Sequence, residues 1–272
     1  MQLVTYDRGG ARRLGALVAG TVVDLPDAVG HPSFPATMEA LVAYHGGTTL
    51  DAAAFALARP EAVETCAVPK PRLLVPIIPT SLREFAVART SSNGHRRVLG
   101  PDEEMAWPAK ARYLGCELEV ACIVGGGGHK LSRARASEAI FGYTLMGDWS
   151  AWRPHRTNGS RPRGLAASAF AISLGPCVLT PDEFDPGGVR LVARIDDEVW
   201  SEGALDVSGP SFPEIIAEVS RTEEVSPGEV YGSAAFGYGY RVDPGKALHR
   251  GARVDLVADG IGTLSTRIGL RG

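Results

Sequence analysis

Glu117-Leu118-Glu119, with Asp148 following 29 residues after Glu119, is the part of this chain whose residue types and spacing promise chemistry. The three carboxylates lie within two stretches, 116–125 and 141–151, that otherwise read as buried strand. A carboxylate in such a run costs several kcal/mol to desolvate unless something neutralises it. Strands alternate their faces with period two, so Glu117 and Glu119 point the same way. Like charges side by side raise each other's pKa, and a divalent cation removes the conflict. The pattern points to a metal site built from oxygen ligands alone. The plain alternative is a row of exposed charges on an edge strand.

The elements that must position these groups are legible from periodicity and punctuation. At 272 residues the chain can bury one sizeable core, or one main domain with a small appendage. A net charge of −3 with 22% charged residues predicts no nucleic-acid or anionic-lipid partner. No stretch is apolar for long enough to span a bilayer, and the start Met1-Gln2-Leu3-Val4 lacks a signal pattern, so the cytoplasm is the default location. Cys66, Cys116, Cys122 and Cys177 form no CxxC pair and read as reduced, buried small hydrophobes. Abundant glycine (33) and proline (19) favour many short strands and turns.

Residues 3–6, 13–18 and 21–25 read as a strand meander, followed by helices over 37–44 and 50–57. The Pro-rich run Val68-Pro69-Lys70-Pro71 reads as a linker, which divides the chain into a small N-terminal subdomain, 1–68, and a main unit, 69–272. Ser81-Leu82-Arg83-Glu84 matches a capping box and predicts a short helix to about residue 90. Residues 91–110 show no periodicity and read as a loop able to close over a site. A strand over 117–124 stops at Gly125-Gly126-Gly127-Gly128, which lacks the Lys-Ser/Thr of a phosphate loop. A helix over 133–140, a strand over 141–148, an amphipathic helix over 213–221 and a closing hairpin over 253–268 complete the reading.

On these residues the chain resembles the fumarylacetoacetate hydrolase family. The resemblance is carried by Tyr113-Leu114-Gly115-Cys116-Glu117-Leu118-Glu119-Val120-Ala121 and by Ile140-Phe141-Gly142-Tyr143-Thr144-Leu145-Met146-Gly147-Asp148-Trp149-Ser150-Ala151. Leu174-Gly175-Pro176, Glu214-Ile215-Ile216, Ser226-Pro227-Gly228 and Ile261-Gly262-Thr263-Leu264 add to it in the family's order. It implies an α+β, β-rich fold: a mixed β-roll or β-sandwich catalytic domain, usually a homodimer, that binds Mg²⁺, Mn²⁺ or Ca²⁺. It also implies Glu117, Glu119 and Asp148 as the metal ligands. Glu84 becomes a possible fourth, against its reading as the capping-box acid.

The chain departs from that family where hydrolysis is carried out. The family's water-activating histidine falls at Ser91, its arginine at Trp152 and its lysine at Ala166, while its Thr-Gly-Thr-Pro segment becomes Tyr231-Gly232-Ser233-Ala234. His95 and His155 are candidate replacements as proton-transfer groups, and Ser91 itself is the third candidate. The loop after Trp152 holds Arg153, Arg156, Arg161 and Arg163; its plain reading is a solvated or dimer-contact loop. Its functional reading is an arginine clamp, so Trp152, Arg153, Arg156 and Ser233 are the candidate substrate contacts. Trp149 beside Trp152 would add an apolar wall near the metal. The resemblance then implies a metal-dependent enzyme for an enolisable β-dicarbonyl or 2-oxo acid, of non-hydrolytic type: tautomerase, decarboxylase, dehydratase or cyclase. The alternatives are a C–C hydrolase with rearranged acid–base groups and a non-catalytic ligand-binding relative. High Ala, Gly and Arg usage hints at a GC-rich bacterial source, where such a divergent copy could serve a specialised-metabolite pathway.

Overall fold

The structure is a computed structural model that describes residues 1–44, 47–86, 89–92, 97–109, 111–154, 165–205, 207–233 and 248–270. The chain opens with the expected meander, β1 (Gln2–Arg8), β2 (Ala11–Val18) and β3 (Thr21–Asp24). Its two-residue turns, Gly9-Gly10 and Ala19-Gly20, all take positive φ, as tight hairpins of this hand require. Four short helices follow: α1 (Leu25–Val29), α2 (Met38–Ala43), α3 (Gly47–Leu57) and α4 (Pro60–Thr65). The second and third coincide with the expected pair; the sequence reading had no place for α1 or α4.

Two expectations of secondary structure are overturned. Ser81 to Thr90 forms no helix but a hairpin of β4 (Ser81–Ala86) and β5 (Arg89–Ser92). Leu82 joins one apolar core while Phe85 packs against another, a period-two pattern that a helix would not satisfy. Pairing with a strand some 150 residues away then outweighs the local capping signal. The supposed loop 91–110 also carries structure, in the end of β5, in β6 (Arg97–Leu99) and in β7 (Glu104–Met105).

The remaining elements are β8 (Tyr113–Val124), α5 (Arg133–Glu138), β9 (Ile140–Pro154), β10 (Leu165–Leu179), β11 (Arg190–Ile195), β12 (Glu198–Ala204), α6 (Phe212–Val219), β13 (Glu229–Ser233), β14 (Arg253–Ala258) and β15 (Gly262–Ile268). They build two sheets. The larger runs β3-β2-β1-β10-β9-β8-β13-β4-β5, with β6 as a tenth strand paired to β10, and the smaller runs β12-β11-β14-β15-β7. One edge of β10 takes β9, while the other takes β6 at Ala171–Ser173 and β1 at Val178–Leu179. If the sheet were flat, β5 and β6 would be six strand spacings apart, about 29 Å. The step from Ser92 to Arg97 reaches only about 17 Å. The large sheet therefore curls back on itself.

Each face of the curled sheet meets a different core. Leu118, Val120, Leu145 and Trp149 pack against Leu191, Val254, Leu256 and Leu264 of the smaller sheet. Ala121, Met146, Ile172 and Leu174 pack on the other side with Leu25, Met38, Leu41 and Val42 of the N-terminal helices. A third cluster seats Ile215, Ile216 and Val219 of α6 on Cys122, Val124 and Tyr231. That helix, the expected amphipathic one, opens on a capping box in which Glu214 accepts from the Ser211 amide at 2.8 Å. All four cysteines are free; three are buried, while Cys66 is only partly so. No described helix is long and apolar enough to cross a membrane.

Candidate metal centre

The pairing of β8 with β9 brings the carboxylates together. Glu117 stands opposite Asp148, and Glu119 opposite Met146. Cross-strand partners share a face, so Glu117, Glu119, Met146 and Asp148 all project to one side of the sheet. Leu118 and Trp149 project to the other. Glu119 is 3% exposed and Asp148 7%, while Glu117 is half-buried. These are not the charges of an exposed edge strand, because β8 and β9 lie in the middle of the sheet.

Glu84 joins this face through β13. Gly232 of that strand is in register with Ala121 of β8 and with Glu84 of β4. The strand conformation of Ser81–Ala86 removes the capping-box reading of Glu84. Ser91 lies opposite Glu84 in the β4–β5 hairpin.

The electrostatics follow from this crowding. Burial raises the Glu117 pKa, and the charge of Glu84 raises it further. The Cys116 thiol, fully enclosed beneath the same strands, is held well above its usual range by burial and then by Asp148, Glu117 and Glu119. Among the described residues no salt bridge relieves Glu117. Equally, among the described residues no three His, Cys, Asp or Glu side chains already stand around one point as a finished cage for a metal ion. What the fold supplies is a shared face of oxygen donors, the donor chemistry suited to a hard divalent cation.

The other expected site residues divide by register. Trp152 pairs with Tyr113 and Ala167, and Arg153 with Ala166, so the expected lysine position sits on β10 beside the end of β9. Ser233 pairs with Val120 and Phe85, on the side of β13 away from Glu119; the fold does not bring it to the carboxylates. Trp149 is no wall for the site. It is fully buried against the smaller sheet with its indole N–H donating to Ser173 Oγ at 3.0 Å, because an odd position next to Asp148 must face the opposite way. His95, His155 and Arg156 lie outside the described residues. The residues that sequence reasoning missed are Met146 and Gly232, whose contact with Glu119 joins three strands. A glycine inside a strand was the available signal.

A curled, mixed sheet carrying buried carboxylates on one face, backed by a smaller and mostly antiparallel sheet, defines the class of protein. The family model described as Fumarylacetoacetate (FAA) hydrolase C-terminal matches residues 87–269, and the chain belongs to that family. Maleylpyruvate hydrolase from Sphingobium sp. SYK-6, solved in complex with manganese (II) ion and pyruvate, shares the fold over 100% of both chains with a TM-score of 0.72 and 20% identity. The 5-carboxymethyl-2-hydroxymuconate delta-isomerase from Mycobacterium smegmatis does so over 99% of each chain, with a TM-score of 0.67 and 20% identity. An uncharacterized protein of Staphylococcus epidermidis is 26% identical over 192 residues, which cover 69% of this chain and 61% of that protein. The match thus spans about three fifths of that relative's length.

Proposed function

We propose that this chain is a divalent-metal-dependent enzyme acting on an enolisable β-dicarbonyl or 2-oxo acid, by tautomerase, decarboxylase, dehydratase or cyclase chemistry rather than hydrolysis. The observation that carries this reading is the buried acid face, where Glu117, Glu119 and Asp148 share one side with Glu84 and Glu117 is pushed toward protonation. Mg²⁺, Mn²⁺ or Ca²⁺ bound there would act as a Lewis acid toward the substrate's oxo and enolate oxygens. Glu117, Glu119 and Asp148 would hold the ion, with Glu84 as the fourth donor. Ser91 opposite Glu84, with His95 or His155, provides the proton-transfer group. Arg156 holds a substrate carboxylate, and Trp152, at an even position of β9 like Asp148, gives the site an apolar border. Enolate chemistry needs an electrophile and one proton-transfer group. Hydrolysis needs in addition a positioned water and a protonated leaving carbon, and the residues expected for both tasks are Ser91, Trp152 and Ala166 in this sequence. The acting species we propose is a homodimer in the cytoplasm.

The test is turnover with saturating Mn²⁺. Acetylpyruvate and fumarylpyruvate are expected to exchange their enolisable protons without being cleaved, read by NMR in D₂O; robust cleavage of either would restore the hydrolase reading. Asp148→Ala is expected to abolish stoichiometric Mn²⁺ binding by calorimetry, and unchanged binding removes the metal from the site.

A further inference from the structure

Gly232 sits in the interior of β13, where a side chain is normally an asset, yet the space beside its Cα is already filled from two strands away. A Cβ built there would overlap the terminal methyl of Met146 and lie 2.9 Å from Met146 Sδ and 2.7 Å from Glu119 Oε2. Met146 belongs to β9 and stands opposite Glu119 of β8, so its thioether passes over β8 to reach β13. Ala121, in register with Gly232, stands in between with only a methyl group. Met146 is fully buried and Glu119 nearly so. Both are therefore close-packed against their neighbours, so a change in the space beside one is felt by the other. An unbranched thioether is the side chain that can fill a narrow, off-axis gap of this kind.

We infer that Met146 and Gly232 act together as the positioning unit for Glu119. The socket left by the missing Cβ receives the thioether, and the carboxylate is packed beside it, turned toward the face shared with Glu117 and Asp148. The inference rests on the metal reading above and deepens it. Residues that orient ligands without touching the ion typically alter metal affinity by about 10–100-fold when changed.

The experiment is a Mn²⁺ titration by calorimetry on the full chain, with melting curves to confirm folding. Gly232→Ala is expected to weaken binding roughly tenfold or more. Adding Met146→Ala to it removes the overlapping thioether but not the approach of the new methyl to Glu119 Oε2, so part of the lost affinity should return, a rescue that general destabilisation would not produce. If Gly232→Ala does not fold, Met146→Leu carries the test: its branched end stops short of the socket, and it should weaken Mn²⁺ binding in a folded protein. Wild-type affinity in folded Gly232→Ala or Met146→Leu, or a double variant no better than the single one, overturns the inference alone. A wild-type chain that takes up no Mn²⁺ overturns the metal reading and the inference with it.

Discussion

Asp24, buried, and Glu117, half-buried, are both carboxylates of the large sheet, and they are treated in opposite ways. Asp24 is 5% exposed and accepts from Arg13 Nε at 2.8 Å, Arg13 Nη2 at 3.0 Å, Arg8 Nη1 at 2.7 Å, the Asp27 amide at 2.9 Å and the Tyr6 hydroxyl. Burial alone would raise its pKa, yet the Arg13 guanidinium, the Tyr6 hydroxyl and the Asp27 amide together hold it below the usual range. At Glu117 burial and the neighbouring Glu84 push the same way, upward. The first carboxylate is completed by its own chain and caps α1. The second is left with a conflict that an added cation would resolve. A buried acid by itself therefore says little; the charge of what surrounds it separates a structural ion pair from a candidate site.

The largest effect should come from breaking the completed cluster. Asp24→Ala leaves Arg8 and Arg13 with only Asp27 of their two carboxylate partners and strips the buried Tyr6 hydroxyl of its acceptor, and should cost about 3 kcal/mol of stability in urea unfolding. Mn²⁺ affinity should be unchanged, since the acid face is not touched. Glu117→Gln is expected to do the reverse. It removes Mn²⁺ binding but makes the metal-free protein more stable, by up to about 1 kcal/mol near neutral pH, because a desolvated charge beside Glu84 is gone. If both variants were equally destabilised, the contrast between the two regions would fail.

The contrast also has a sign in pH. For Asp24 the folded pKa lies below the unfolded one, so the unfolded state binds more protons as pH falls, and stability present above about pH 4 is lost through the folded value. For Glu117 the folded pKa lies above the unfolded one. Its contribution favours the metal-free fold at low pH and is lost as pH rises through the folded value. Urea midpoints between pH 3 and pH 7 should therefore fall toward acid in the wild type, less steeply in Asp24→Asn and more steeply in Glu117→Gln.

The acid triad was legible in the sequence because its signal is local: two carboxylates at period two inside apolar runs. The meander, the two central strands and the amphipathic α6 were legible for the same reason, and the family resemblance supplied the β-rich class. What was lost depends on pairing across long separations. Ser81-Leu82-Arg83-Glu84 carries a valid capping pattern, and only its parallel partner Glu229–Ser233 turns it into a strand. Trp149 invites placement beside Asp148 by adjacency, and alternation sends it to the other core. The contact of Met146 with the space at Gly232 requires the order β9-β8-β13, which no local pattern reveals.

The smallest expected effect is the most discriminating. Glu84 reached the acid face only once Ser81–Ala86 proved to be a strand, and its influence on Glu117 is electrostatic whether or not it touches an ion. Glu84→Gln should change stability by no more than about 0.5 kcal/mol, in the stabilising direction, since it removes one member of a like-charge pair and keeps the shape. Its effect on Mn²⁺ separates the two roles. A fourth donor should cost roughly tenfold in affinity when replaced by an amide, with a matching loss for Glu84→Ala. A mere neighbour should cost less than about threefold, and equally for both variants, because only a screened charge at a distance is removed. Calorimetry at two salt concentrations makes the distinction firm: the donor's contribution persists at high salt, while the neighbour's shrinks toward nothing.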